Sequence, residues 1–299
     1  MTRAPSRAVI IFVVASSVFA TNYLWADLAL GSLTPIQVAW GRSLLAAITL
    51  LVVLFATGGR LPSGWGIWRR LLIAALLFNT ISFTCMAVGV SRITTVQAGV
   101  INTTTPLVTL ALVAAFVPAE AITRRRLIGV LLGLVGVVVL LQPFGDWGTT
   151  DPLGILAMGG ATVSYAAGIV YARVRLGDVT GSTVAIAAGQ LVCAAVQMTV
   201  LLPLGGGLPT SLTGRSALGI IVLGVVGTGI GYILQHALIR SGGASMAGDA
   251  TYLILLIAVL IGIVVLGEAF TLRDGVGAAV ILTGLVIATR QSQRVLGGR

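Results

Sequence analysis

Hydrophobic residues fill the chain in long stretches, and short connectors between them hold most of the charged residues. A helix needs about 20 mostly apolar residues, with a range of roughly 17–25, to cross a bilayer. Stretches of this kind lie at residues 8–26, 35–57, 69–90, 93–117, 126–142, 152–172, 180–202, 215–238, 244–266 and 274–290. The pattern predicts an all-α integral membrane protein with ten transmembrane helices, five on each side of a connector between Pro143 and Pro152.

The chain repeats one plan at an offset of 148 residues. Matches in the rarest residue types of an apolar chain indicate a duplication. The same register, without insertion, pairs Arg92 with Arg240, Glu120 with Glu268, Ala121 with Ala269, Thr123 with Thr271, Arg125 with Arg273, Gly129 with Gly277 and Gly136 with Gly284. We therefore predict two five-helix repeats, residues 1–145 and 150–299. Because each has an odd number of spans, the second must be inverted in the membrane.

The composition agrees with a protein that lies almost wholly in the bilayer. Charged residues make up 9% of the chain and the mean hydropathy is +1.08, whereas a soluble domain carries about 25% charged residues. The basic residues occur singly or in short groups between apolar runs, which is not the pattern of a nucleic-acid-binding surface. We expect the lipid bilayer as a partner and no nucleic acid.

The arginines predict the orientation, because cytoplasmic loops retain positive charge. The termini and one set of alternate loops hold 14 of the 18 basic residues, whereas the other set holds only Arg92, Arg215 and Arg273, and Arg42 lies within a span. We expect a multi-pass protein of the cell inner membrane with both termini in the cytoplasm.

Two ionisable residues stand out within the predicted spans. A charge in the hydrocarbon region costs at least about 2.5–3.5 kcal/mol, so such a residue is a functional candidate. Arg42 lies about two turns inside the second span. It either pairs with helix-end carbonyls, extends to the membrane surface, or binds a carboxylate or phosphate. Asp249 near the start of the ninth span is either a helix cap or a proton or cation site that couples transport.

Uncharged polar and aromatic residues concentrate near the middle of several spans and indicate a polar cavity. His236, the only histidine, is either a satisfied structural residue or a proton relay. Gln190 and Gln197 share one face of the seventh span and either join helices or line the cavity. The candidate substrate-binding residues are Arg42, Asn79, Phe83, Gln97, Asn102, Thr103, Tyr165, Tyr232, His236 and Tyr252, with Asp249 as the coupling candidate.

Three further residues belong to predicted structural features. Pro106 lacks a backbone donor, so we expect it to kink the fourth span and leave carbonyls that a cavity or polar neighbours must satisfy. Glu120 and Glu268 stand beside arginines at equivalent helix ends. Their repetition favours a structural turn formed once in each half.

The chain resembles the EamA family of the drug/metabolite transporter superfamily. The residues that carry the resemblance are Pro118-Ala119-Glu120 and Leu266-Gly267-Glu268 at the ends of the fourth and ninth spans, Arg42 followed by Ser43-Leu44-Leu45-Ala46-Ala47, and the glycine-rich fifth and tenth spans. The resemblance implies a secondary transporter, commonly an exporter of amino acids or related metabolites, with a central cavity between two inverted halves. Arg42, Glu120 and Glu268 match positions of the family pattern.

Three classes of function compete for this sequence. A carrier would rock its two halves around a site near the bilayer midplane, and a channel or passive facilitator for small neutral solutes is the alternative. A membrane enzyme would need a serine with a histidine, or two aspartates, brought together, and the spans offer one histidine and one aspartate. Haem or metal chemistry needs more His or Cys ligands, so we expect no enzyme, cofactor or metal.

The polar residues favour a zwitterionic or neutral small molecule, because a sugar phosphate would need several basic groups. We expect an exporter of amino acids, aromatic or large and neutral, that works as a monomer or homodimer.

Overall fold

The structure, a computed structural model, describes most of the first eight predicted spans and scattered residues of the last two. The described residues are 7–93, 98, 101–102, 104–117, 123–141, 151–177, 179, 182–240, 246, 250, 253–254, 256–257, 276–277, 279–280, 283–284 and 287.

Eight helices fill the described ranges, and no strand occurs in them. Six, namely α1, α2, α3, α6, α7 and α8, are long and apolar enough to cross a membrane, whereas α4 and α5 are shorter apolar helices. The helices are α1 (Ala8–Leu30, interrupted at Thr21), α2 (Pro35–Ala56), α3 (Trp65–Val90), α4 (Thr105–Phe116), α5 (Arg124–Leu141), α6 (Pro152–Leu176), α7 (Thr183–Leu201) and α8 (Gly214–Arg240). The all-helical membrane fold is therefore confirmed. The predicted spans 244–266 and 274–290 lie mostly outside the described residues.

The second helix of each half begins with the same kind of cap. The Thr34 hydroxyl accepts a hydrogen bond from the Gln37 N–H at 3.3 Å, and the Gln37 side chain accepts one from the Thr34 N–H at 2.9 Å. Ser182 caps α7 in the same way by accepting from the Ala185 N–H at 3.1 Å. Such caps satisfy helix donors that have no intrahelical partner. Thr34 and Ser182 are separated by the repeat offset of 148 residues.

Hydrogen bonds of arginine side chains define the two ends of the helix bundle. At one end Arg70 donates to the Arg175 carbonyl oxygen at 3.3 Å, and Arg240 donates to the Val179 carbonyl oxygen at 2.9 Å. We call this the arginine-rich end. At the opposite end, the Asp151 end, the Arg92 guanidinium pairs with the Asp151 carboxylate at 2.8 Å.

The core is built mainly by contacts between the two halves of the chain. Helix α2 packs on α7 and α8, α3 packs on α6, and α1 packs on α8. Leu50, Phe78, Ile169 and Leu191 are almost fully buried in one cluster that draws on both halves. The two halves therefore bury each other's apolar surface, and each leaves a lipid-facing surface of exposed apolar residues.

Helices α3 and α8 each contain a wider π-helical turn, at Leu76–Ile81 and Leu223–Ile230. When the repeat offset of 148 residues is applied, the first and last residues of the two turns agree to within one residue. A π turn leaves carbonyl groups without their usual partners, which must be satisfied inside the bilayer. Helices α6 and α8 supply two donors to the first turn, from the Ser164 hydroxyl to Leu77 at 2.7 Å and from the Tyr232 hydroxyl to Phe78 at 3.1 Å. Asn22 of α1 donates to Gly227 of the second turn at 3.4 Å.

The kink predicted at Pro106 stays a prediction, because the fourth span before this residue is described only at residues 93, 98, 101–102 and 104–105. Helix α4 begins at Thr105, and Pro106 occupies its first turn, where the missing N–H would have no helical partner. The Thr104 hydroxyl donates to the Ile101 carbonyl oxygen at 2.7 Å, and the Thr105 hydroxyl donates to that of Asn102. The Ile101 and Asn102 carbonyl oxygens before the proline are therefore satisfied by neighbouring threonines.

Candidate functional site

A cavity of about 70 Å³ lies between the two halves of the bundle. Helices α1, α2 and α3 of the first half contribute to its wall from their parts nearer the Asp151 end. In the second half, α6 contributes near its middle, and α8 contributes Tyr232 from its part nearer the arginine-rich end. Its lining residues are Phe19, Asn22, Arg42, Ser82, Phe83, Met86, Asn102, Ala161, Tyr165, Tyr232 and Ile254. The ligand pockets of most proteins measure about 300–1,000 Å³. The lining helices must therefore separate before a metabolite can bind here.

Arg42 is the charged residue of this lining, among the residues that the structure describes. Its side chain is 3% exposed. The Nε atom donates to the Thr228 hydroxyl at 3.1 Å, and the Cζ atom lies 3.6 Å from the centroid of the Phe83 ring. A desolvated cation–π contact stabilises by about 2 kcal/mol. Arg42 is thus held inside the protein and does not extend to the membrane surface.

The second π turn positions the hydroxyl that binds Arg42. Thr228 is fully buried, and its hydroxyl donates to the Leu223 carbonyl oxygen at 2.7 Å. Because that hydrogen is used within α8, the oxygen presents its lone pairs to the Arg42 guanidinium. The hydrogen bond joins α2 of the first half to α8 of the second.

Aromatic side chains form the wall next to Arg42. The Phe83 and Tyr232 rings meet edge to face with centroids 6.1 Å apart. Behind the cavity, Phe78 contacts Tyr165 and Tyr232 at 4.8 and 5.2 Å between centroids. These edge-to-face contacts stabilise the positions of the rings more than burial of their apolar area alone would. The cavity therefore combines one fixed cation with an aromatic surface.

A second polar group, Asn79, Gln190 and His236, lies nearer the arginine-rich end, and we call it the amide–imidazole cluster. Gln190 donates to the Asn79 Oδ1 atom at 2.8 Å, and its Oε1 atom lies 2.9 Å from His236 Nε2. An amide oxygen only accepts hydrogen bonds, so with this amide orientation His236 Nε2 carries the hydrogen. Asn79 and Gln190 are fully buried and His236 is 5% exposed. The cluster joins α3, α7 and α8.

The structure brings together half of the predicted substrate-binding residues. Arg42, Phe83, Asn102, Tyr165 and Tyr232 line the cavity. Asn79 and His236, although predicted as cavity residues, lie in the amide–imidazole cluster and are not part of the described lining. The remaining predicted residues, Gln97, Thr103, Tyr252, Asp249, Glu120 and Glu268, lie outside the described residues.

Sequence reasoning missed Asn22 and Thr228. Asn22 lines the cavity from α1, and its position as an asparagine inside an apolar run was a usable signal. Thr228 gave no such signal, because a threonine inside a helix often bonds only to its own backbone. In this structure both glutamines join helices, since Gln190 bonds to Asn79 and Gln197 accepts from the Thr80 hydroxyl at 2.6 Å.

The sequence model of the EamA-like transporter family matches the chain twice, at residues 6–142 and 152–290. The chain belongs to this family. The family consists of membrane transporters of the drug/metabolite transporter superfamily, as the motifs at Arg42, Glu120 and Glu268 had indicated.

Curated relatives match this transporter along most of its length. The uncharacterized inner membrane transporter YedA of Escherichia coli K12 is 28% identical over 289 residues, which cover 91% of this chain and 87% of YedA. An uncharacterized transporter of Archaeoglobus fulgidus is 26% identical over 264 residues, 87% of this chain and 90% of the relative. Protein PecM of Dickeya dadantii is 24% identical over 275 residues, 91% of this chain and 89% of PecM.

A crystal structure of a 23% identical protein superimposes with a TM-score of 0.79 and covers 96% of this chain and all of that chain. This likeness establishes the shared fold.

Proposed function

We propose that this EamA transporter is a carrier whose two five-helix halves, inverted in the membrane and ten spans in total, expose the central cavity to each side in turn. Three observations support the proposal. The family model matches the two halves separately, the cavity is lined from both halves, and the π turns of α3 and α8 recur at the repeat offset. The small volume of the cavity favours a carrier over a permanent pore.

The cargo that fits the cavity best is an amino acid with an aromatic or large apolar side chain. The observation that carries this proposal is Arg42, fixed between Thr228 and Phe83 inside the cavity. A guanidinium pairs with a carboxylate through two parallel hydrogen bonds. The rings of Phe83, Tyr165 and Tyr232 offer a surface for an apolar side chain.

We further propose that the protein exports its cargo from the cytoplasm across a bacterial inner membrane. The arginine-rich end carries Arg70, Arg175 and Arg240 together, so the positive-inside rule assigns it to the cytoplasm. Both termini are then cytoplasmic. Asp249 is our candidate for proton coupling, and the alternative is transport without coupling.

Counterflow in proteoliposomes tests this function. Uptake of labelled phenylalanine or leucine should rise when unlabelled amino acid is present on the opposite side. Arg42→Gln should raise the half-saturation concentration by roughly one to two orders of magnitude, because a hydrogen bond to a charged group is worth about 1.5–3 kcal/mol. Arg42→Lys should retain part of the affinity, since it keeps the charge without the planar fork.

Arg60→Gln is the matched control, because Arg60 is an exposed arginine of the connector between α2 and α3. An uptake rate that does not change when amino acid is present on the opposite side would instead identify a channel or passive facilitator. Counterflow by other metabolites but not by amino acids would refute the cargo and keep the carrier.

A further inference from the structure

We infer that the amide–imidazole cluster of Asn79, Gln190 and His236 is a second substrate-contacting site, which lines the cavity when the protein opens towards the arginine-rich end. This inference rests on the proposed carrier mechanism, but not on the identity of the cargo. It would explain why two residues with the polar character of a cavity lining, Asn79 and His236, are closed off from the cavity in this structure.

The first step is the equivalence of Arg42 and Gln190. The two residues are separated by the repeat offset of 148, and each lies about two turns inside a helix capped by Thr34 or Ser182. Arg42 lines the cavity near the Asp151 end, whereas Gln190 is fully buried near the other end. Inverted repeats exchange roles when the carrier changes its facing. Arg42 lines the cavity from the first half in this structure. Its equivalent in the second half, Gln190, should therefore line the cavity when the carrier opens to the opposite side.

The second step concerns the contacts that close the arginine-rich end. The hydrogen bond from Gln190 to Asn79 joins α7 of the second half to α3 of the first. The Tyr232 hydroxyl makes a second link between the halves by donating to Phe78. Opening at this end must separate α3 from α7 and α8, and it breaks both of these links. The freed amide groups then need new partners, which water or a bound substrate supplies.

The third step is the chemistry that the opened cluster would offer. Gln190 and Asn79 carry amide oxygens, which accept hydrogen bonds, and the imidazole of His236 adds a group that donates or accepts. This suits the ammonium group of a zwitterion, whereas Arg42 suits its carboxylate. The two sites would then contact the cargo in different facings and through different groups.

Thiol labelling tests the inference. Both native cysteines, Cys85 and Cys193, are replaced by alanine, and His236→Cys is added to that chain. A membrane-impermeant thiol reagent is applied to intact cells and to inside-out vesicles, with Arg70→Cys marking the face on which the arginine-rich end lies. We expect His236→Cys to react from that face at least about tenfold faster than Leu191→Cys.

Leu191 is the matched control, because it is fully buried beside Gln190 on the same helix but packs into the apolar core. Equal reaction of the two cysteines, or reaction of His236→Cys from the face opposite Arg70→Cys, overturns the inference. If the variant does not fold, modification of the native His236 by diethyl pyrocarbonate shows whether this residue becomes accessible, since the chain has one histidine. In that experiment, an unmodified His236 in transport-competent protein overturns it.

The result also separates this inference from the proposed cargo. Labelling of His236→Cys without amino-acid counterflow would support the site and refute the cargo. Amino-acid counterflow with no labelling above the Leu191→Cys level would support the cargo and refute the site.

Discussion

Arg42 is held by one group from each half of the chain, and this makes Thr228 a positioning residue. Thr228→Val keeps the shape of the side chain but removes the oxygen that accepts from Arg42 Nε. We expect the half-saturation concentration for transport to rise about tenfold, with little change in the maximal rate, because a hydrogen bond to a charged group contributes about 1.5–3 kcal/mol. Thr228→Ser keeps the hydroxyl and should restore the affinity.

A positioning role changes the half-saturation concentration and leaves the maximal rate nearly unchanged, whereas a merely structural role does not separate the two constants. A Thr228→Val protein that loses maximal rate and stability together, without rescue by Thr228→Ser, would show that the residue only supports the π turn. Transport kinetics in proteoliposomes and thermal unfolding in detergent make the comparison.

Asp151 gives a residue-level prediction outside the membrane. The Arg92 guanidinium and, after it, the Leu153 N–H bind the carboxylate and lower the pKa of Asp151. A carboxyl with a lowered pKa stabilises the fold above its unfolded pKa of about 3.9 and loses that contribution as the pH falls through the folded value. Between pH 5 and pH 3, as rough limits around that value, the wild-type melting temperature should therefore fall more than that of Asp151→Asn.

Asn keeps the capping oxygen for Leu153 and removes the titrating charge, so this substitution separates the ion pair from the helix cap. The matched control is Asp27→Asn, which alters an exposed carboxyl of α1. Parallel curves for wild type and Asp151→Asn would refute a contribution from this carboxylate. The effect should be small, because the ion pair is solvent-exposed.

At the level of single residues, charge was the most reliable signal in the sequence. A buried arginine is costly in an apolar span, so Arg42 stands out by its residue type and position alone. Its partners do not, because the contact of Thr228 and Phe83 with Arg42 depends on how α2, α3 and α8 pack. Asn79 and His236 are recognisable as polar groups, but a sequence does not tell which end of the bundle is open in a given conformation.

At the level of helices, the positions of α1 to α8 were predictable because the bilayer sets the length of an apolar span. In the fourth span, the structure places a helix start at Thr105, next to Pro106. Thr104 and Thr105 donate hydrogen bonds to the Ile101 and Asn102 carbonyl oxygens before the proline, which the sequence did not indicate. The π turns were not predicted, since their carbonyls are satisfied by Ser164, Tyr232 and Asn22 from distant helices.

The π turn of α3 depends on a glycine of α6. A Cβ atom at Gly168 would lie 2.9 Å from both the Cα and Cβ atoms of Phe78, and backbone atoms cannot move aside as a flexible side chain would. Gly168→Ala should therefore destabilise the protein by about 1–3 kcal/mol, the usual range for an overpacked core. Gly159→Ala on the same helix is the control, because a Cβ atom there has no neighbour within 4 Å.

Thermal unfolding in detergent compares the two variants. Gly159→Ala should leave the melting temperature unchanged or raise it slightly, since alanine favours a helix over glycine by about 0.5–1 kcal/mol. Similar losses in both variants would argue against close packing of α6 on the π turn.

For the whole molecule, the repeat offset was the sequence feature that related the largest number of structural features. It was derived from charged and glycine residues around the connectors, and it also relates features that those residues do not specify. The caps at Thr34 and Ser182 and the two π turns follow the same offset. The offset does not predict the chemistry or the exposure of equivalent positions. Arg42 and Gln190 are equivalent, but they are different residue types, and Arg42 lines the cavity whereas Gln190 is buried away from it.

The packing between the halves predicts that neither half is stable without the other. Helices α2, α3 and α1 bury their inner faces on α7, α6 and α8. A half expressed alone would expose Asn79, Thr80 or Ser164 to lipid, where an unsatisfied polar group costs several kcal/mol. We expect residues 1–145 and residues 150–299 to be degraded when expressed separately and to co-purify when expressed together.

Co-expression also tests where the two units meet. Division of the chain between residues 145 and 150 leaves every described helix intact, whereas division within α6 after residue 163 cuts a helix that packs on α3 and α4. Only the first pair of fragments should assemble and show counterflow. A half that is monodisperse in detergent on its own would show that its inner face is stable without the other half. Mutual burial of the two halves would then not explain how the cavity between them forms.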